Sequence, residues 1–117
     1  MNLLDPWFEA EFITETNASG HRRHGVDIQD ADGVLFWCPC GYGKTEYPLA
    51  GARPHAALFS FANPRGRAAP LEGGSTYEGK PKRWTMRGTG LTDLTLTPSL
   101  LLPCWHGFLT IGKLLRA

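Results

Sequence analysis

Long hydrophobic runs are missing from this chain, and with them any obvious membrane span. The longest apolar stretch, around Leu100-Leu101-Leu102, is cut by Pro98, Pro103 and His106, far short of the roughly 20 residues a bilayer-crossing helix needs. Met1-Asn2-Leu3-Leu4 runs into Asp5-Pro6 without the basic start or apolar region of a signal or transit peptide. A charge imbalance is missing too. Twelve Lys and Arg against eleven Asp and Glu leave a formal net charge of +1, so no global field draws the protein to nucleic acid or to an anionic membrane, and any such binding must be local. Cysteine is scarce: three thiols cannot all pair within one chain, which argues against a disulfide framework and for a reducing compartment. The expectation is a soluble cytoplasmic protein, in which the Asn17-Ala18-Ser19 glycosylation pattern is incidental.

What is abundant is punctuation. Fourteen Gly and nine Pro in 117 residues leave little room for long helices, while 42% apolar and 20% charged residues mark a chain that folds, as one domain with one modest core. The reading is a mainly β, antiparallel single domain over 1–117. Trp7 to Thr14 suits either a strand or a short helical turn, with a strand as the expectation. Val26-Asp27-Ile28 and Val34-Leu35-Phe36-Trp37 are expected to pair around the turn Gln29 to Gly33, whose acids lack the ligand pattern of a calcium loop. Ala56 to Phe61 is a further strand. The Gly-, Pro- and cation-rich span 63–82 reads as a long exposed loop. Leu91 to Thr97 alternates with period two, and Phe108 to Ile111, Gly112-Lys113 and Leu114 to Arg116 form a terminal hairpin.

One stretch, Cys38-Pro39-Cys40-Gly41-Tyr42-Gly43-Lys44-Thr45, admits two chemistries. Gly43-Lys44-Thr45 matches the end of a phosphate-binding loop. However, Cys38 occupies the position of its first glycine, where a side chain crowds the backbone amides that cradle phosphate. Pro48, Gly51 and Pro54 also break the helix that such a loop must open. Nucleotide binding is therefore not expected. As metal chemistry the stretch fares better. Cys38 with Cys40, and Cys104 with His106, are two pairs at i, i+2 spacing, and in an extended backbone such pairs point to one side. Together they offer the four N/S donors that zinc prefers, stiffened by Pro39 and Pro103, with Trp37 and Trp105 as a dry surround or as plain core. The competing reading is buried reduced cysteines with a surface His106. His55 is the substitute ligand, or else a loop histidine, and His21 and His24 belong to a solvated cationic run. A C-x-C disulfide would be a strained ring.

Several blocks add to this. Leu35 to Gly43, Arg83-Trp84-Thr85, Leu94 to Leu100 and Cys104 to Lys113 resemble, in order, a family of small phage and prophage proteins of unknown function, sometimes labelled ammonia monooxygenase. The resemblance covers about Val34 to Leu114. It implies a zinc-binding β domain with the metal on Cys38, Cys40, Cys104 and His106, and a setting in the host cytoplasm or on the virion. Relatives near bacterial ubiquitin-like conjugation genes suggest protein recognition. Some relatives carry a further Cys where Tyr42 stands. The oxygenase label finds no support, since copper oxygenases need histidine-rich sites and membrane partners.

For function, a zinc deaminase would need a Glu two residues after its first ligand and a P-C-x-x-C block, and a metalloprotease would need H-E-x-x-H; neither is present. Four ligands on one structural Zn2+ leave no coordination position for a reacting water. A non-catalytic module that binds a protein partner, as a virion or assembly accessory or a modulator of a host pathway, is the expectation. Arg65, Arg67, Lys80, Lys82, Arg83 and Trp84 are the candidate partner-binding residues. The same cations, with Trp84 and Tyr77 for stacking, carry the alternative of single-stranded nucleic-acid binding, and a zinc-dependent hydrolase is a third option.

Overall fold

Along Trp105–Thr110 the side chains alternate strictly, with Trp105, Gly107 and Leu109 buried and His106, Phe108 and Thr110 exposed. That is how a strand with one wet face must read. In the computed structural model, which describes residues 1–15, 22–42, 55–62 and 70–117, this strand is one of ten. In chain order they are β1 (Glu11–Glu15), β2 (Arg22–His24), β3 (Gly33–Trp37), β4 (Ala56–Phe61), β5 (Thr76–Tyr77), β6 (Lys80–Pro81), β7 (Arg83–Arg87), β8 (Thr95–Leu102), β9 (Trp105–Thr110) and β10 (Lys113–Arg116). Eight of them form one sheet in the order β10-β9-β8-β7-β4-β3-β1-β2, with β5-β6 a separate ribbon. Every pairing is antiparallel except β4 with β7, which run parallel through Ser60↔Arg83 and Phe61↔Trp84.

The sheet curls. Three strand spacings separate β3 from β8, roughly 14 Å on a flat sheet, yet the thiols of Cys38, just after β3, and Cys104, just after β8, lie 3.3 Å apart. The N-terminal segment stitches the far edge: Asn2 bridges Lys113, and the Leu3 and Leu114 amides donate to Gly112 and Met1 carbonyls at 2.8 and 2.7 Å. That segment then enters β1 through a 3-10 turn, Pro6–Phe8, capped by Asp5. Inside, Phe8, Phe12, Phe36, Phe59, Phe61, Trp84, Leu109 and Leu114 belong to one core. A smaller apolar group of Ile13, Leu58 and Leu71 is distinct from it. With neighbours in both groups, β4 is buried from Ala57 to Phe61, which explains its nearly continuous apolar sequence.

Several expected elements change. Trp7 begins no strand, because Pro6 opens the 3-10 turn and β1 starts only at Glu11. Val26-Asp27-Ile28 does not pair with β3; Ile28 enters a 3-10 turn, and β3 is flanked by β1 and β4. The cationic run supplies an edge strand instead, with Glu15↔Arg22 in register and His24 against Glu11. Within 63–82, residues 63–69 lie outside the described set. The remainder holds the β5-β6 ribbon, turned by Glu78 and Gly79 at positive φ, and Leu71 is only 3% exposed. Ala56 to Phe61 matches its expectation, and the terminal hairpin is present but turns one residue earlier than expected, on Ile111 and Gly112 at φ 48 and 72 rather than on Gly112-Lys113, as a two-residue primed turn requires. The strand expected at Leu91 starts later, at Thr95, and tolerates Pro98 because β8 has a register shift between Leu96 and Leu100.

Candidate metal centre

Antiparallel register builds the first half of the site. Trp37 faces Ala56 at the end of the β3–β4 ladder, and one step further the Cys38 amide donates to the His55 carbonyl at 2.9 Å. Cross-strand partners project to the same side of a sheet, so Cys38 and His55 are neighbours by pairing rather than by sequence. After Cys38 the chain turns in a 3-10 element, Pro39–Gly41. Pro39 supplies its pre-set φ at the first position, and the turn carries Cys40 round to the same place. The flanks are held by the N-terminal segment: Trp37 Nε1 donates to Glu9 Oε2 at 2.6 Å, and the Tyr42 hydroxyl donates to Asp5. The Tyr42 ring stacks on Phe8 at 5.0 Å.

The second half arrives from the other side of the curl. Leu102 pairs with Trp105, leaving Pro103-Cys104 as a two-residue hairpin turn whose exposed tip brings Cys104 onto the first half. Cys104 Sγ lies 3.3 Å from Cys38 Sγ and 3.0 Å from His55 Nε2, and His55 Nε2 is 3.7 Å from Cys40 Sγ. All four donor atoms fall within 4.8 Å of one another. Cys38 is buried, Cys40 half-buried, and His55 and Cys104 are exposed. A groove of about 260 Å³ leads away from His55 past Gly74, Thr76 and Leu101.

Three of the four expected ligands therefore meet, and the fourth is different. His106 is not in the cluster: its Nε2 lies 3.0 Å from Ser99 Oγ, on the wet face of β9. The i, i+2 argument fails here because Cys104 sits in the turn and strand alternation begins only at Trp105. His55 takes the position. The signal in the sequence was its place immediately before β4, mirroring that of Cys38 immediately after β3. Trp105 is buried in the core, whereas Trp37 is half-buried and bonded to Glu9.

The donor set fits a cation. Burial pushes the Cys38 thiol far above its ordinary value, so that thiol keeps its proton unless a positive charge replaces it. At Cys104 burial opposes ionisation, but hydrogen bonds from Cys40, Cys38 and His55 outweigh it and hold the thiol below its ordinary value. Three sulfurs and one imidazole nitrogen match the donors of tetrahedral metal sites.

The residues expected to bind a partner scatter. Arg65 and Arg67 lie outside the described residues, as do Gly43-Lys44-Thr45. Lys80 is exposed on β6. Lys82 places its ammonium 5.2 Å from the Tyr77 ring centre and 5.8 Å from that of Trp84. Arg83 donates to the Phe61 carbonyl at 3.0 Å. Trp84 is no surface platform: it is 1% exposed, edge-on to Phe59, with its indole N–H donating to the Ser99 carbonyl. Stacking on it by a partner or a base is ruled out by burial. Among the described residues no helix is long and apolar enough to cross a membrane.

Neither a family model, nor a curated protein, nor a solved structure matches this chain. The resemblance to the phage and prophage family rests on the sequence blocks alone.

Proposed function

We propose that this protein is a zinc-stabilised β module that acts by binding another protein rather than by catalysis. The observation that carries the reading is the meeting of Cys38, Cys40, His55 and Cys104 within 4.8 Å, from segments that no local turn could join. Zinc suits an S₃N donor set better than harder cations, which seek oxygen. Four protein ligands complete its tetrahedron, and a closed tetrahedron is structural chemistry. In a domain this small, the metal supplies folding free energy that a modest core does not. The family resemblance extends the proposal to a phage- or prophage-encoded accessory of assembly or of a host pathway.

Elemental analysis of protein purified under reducing conditions tests the metal. About one zinc per chain is expected, and cobalt substitution should give the absorption of a tetrahedral thiolate site. Folded protein without metal would overturn the reading. Affinity capture from expressing cells, compared between holo protein and a chelated control, tests the partner. Loss of the captured protein on chelation is expected; turnover by a catalytically competent holo protein would instead favour the hydrolase.

A further inference from the structure

The same cluster holds a second chemistry. Cys38 Sγ and Cys104 Sγ are 3.3 Å apart, while a disulfide needs about 2.05 Å, so little more than about 1 Å separates contact from bond. The two thiols differ in access: Cys104 is exposed and Cys38 is buried. Cys104 also occupies a two-residue turn at the tip of a hairpin, where a small advance disturbs no ladder bond. Cys40, half-buried and 3.7 Å from His55 Nε2, also hydrogen-bonds Cys104 and is the competing partner that experiment must separate from Cys38.

We propose that the site is a redox switch in which hydrogen peroxide oxidises Cys104, the product condenses with Cys38, and the resulting disulfide expels the metal; this rests on the zinc reading above. In the first step the Cys104 thiolate attacks one peroxide oxygen and the O–O bond breaks. Sulfur gives up two electrons, leaving a sulfenic acid and hydroxide. In the second, the Cys38 thiolate attacks the Cys104 sulfur, the S–O bond breaks, and a second hydroxide leaves. Two thiolates and one peroxide thus become one disulfide and two hydroxides. Because the thiolate is the metal ligand, the reaction removes two donors at once. Cys40 and His55 remain, too few for a tetrahedral site. The disulfide joins the same two segments that the metal joined, 66 residues apart, so the oxidised protein keeps its cross-link while losing its ion. A small thiol reverses the change.

The test uses the full chain loaded with zinc under reducing conditions, its metal content measured first. A deficit there sinks the zinc reading, independently of what the thiols do. The loaded protein is then treated with peroxide, and released zinc is followed with a chromogenic chelator. Fragmentation of the linked tryptic peptides 24–44 and 88–113 locates the bond. Zinc release in step with a Cys38–Cys104 disulfide, a retained β-sheet spectrum, and recovery with dithiothreitol and zinc are expected. In Cys38→Ser, dimedone should trap a sulfenic acid on Cys104. If that variant does not fold, dimedone added to wild type should label Cys104 and suppress the disulfide. Zinc release without a disulfide, a bond through Cys40, or zinc retained in excess peroxide would each overturn the switch.

Discussion

Strand β3 has two ends that solve one problem differently. At its start, the buried Asp32 side chain accepts from the Thr14 hydroxyl at 2.6 Å and the Glu15 amide at 3.1 Å. Its backbone bonds Ile13 and Phe61 on either side. At its finish, Cys38 meets His55, Cys40 and Cys104. Both ends tie β1, β4 or the β8–β9 turn to the middle of the sheet. The first does so through one carboxylate oxygen of Asp32, its Oδ1 being buried without a partner among the described residues, while the second gathers three sulfurs and an imidazole nitrogen, a donor set that suits a cation. A polar knot made of the chain's own groups needs nothing from solution, whereas one made of metal ligands would depend on the supply of metal.

The largest effect separates the two ends directly. Replacing Cys104 by Ser, or chelating the metal, should cost a domain of this size roughly 5 kcal/mol or more, read as a collapse of the thermal transition. Wild type indifferent to chelator would erase the distinction. Asp32→Ala should cost about 2 kcal/mol through the lost acceptor for Thr14 and Glu15, with zinc content unchanged. If the variant lost zinc as well, the ends would be coupled rather than independent.

A finer test concerns the histidines. His55→Ala should weaken zinc binding by at least about 10–100-fold, the range that even an outer-shell partner costs, whereas His106→Ala should leave it unaltered. Competition with a chelator of known affinity reads both. The reverse order would restore the pairing expected from sequence.

The smallest effect lies away from both ends. Hydrogen bonds from Tyr42 and then the Trp7 amide hold Asp5 below its ordinary pKa of 3.8, and the Thr89 and Gly90 amides do so for Asp93. Each folded value is depressed, so the stability these groups contribute is present above about pH 3.8 and is lost as the pH falls through the lower folded value. Asp93→Asn should therefore melt slightly below wild type at pH 5, and the gap should narrow in more acid solution. A gap that widened would show the sign to be wrong.

Local patterns in the sequence were informative where local geometry decides the outcome. Ala56 to Phe61 and the existence of the terminal hairpin follow from apolar runs, but the hairpin's turn falls on Ile111-Gly112 rather than on the expected Gly112-Lys113. Cys38, Cys40 and Cys104 were identifiable because few other side chains can do what thiols do. Pairing was not readable: β2 arises from Arg22 to His24, which no apolar pattern marks, and gains its place from the open edge of β1. Trp84 looked available beside cations, but the parallel contact of β7 with β4 turns it inward. His55 against His106 was decided by the same kind of fact. Alternation along one strand favoured His106, and the register between two strands favoured His55.

The spacing of the four donors also sets an order of assembly. Cys40 and His55 are 15 residues apart, but His55 and Cys104 are 49 apart, so three ligands can gather around an ion while the last is still unplaced. Closing the longer segment costs additional chain entropy, which grows only with the logarithm of its length. A sheet built from such distant pairings also folds slowly. An ion held by the first three donors would meet the β8–β9 turn as it forms, and the refolding rate should then depend on zinc from the earlier step that gathers Cys38, Cys40 and His55 onward.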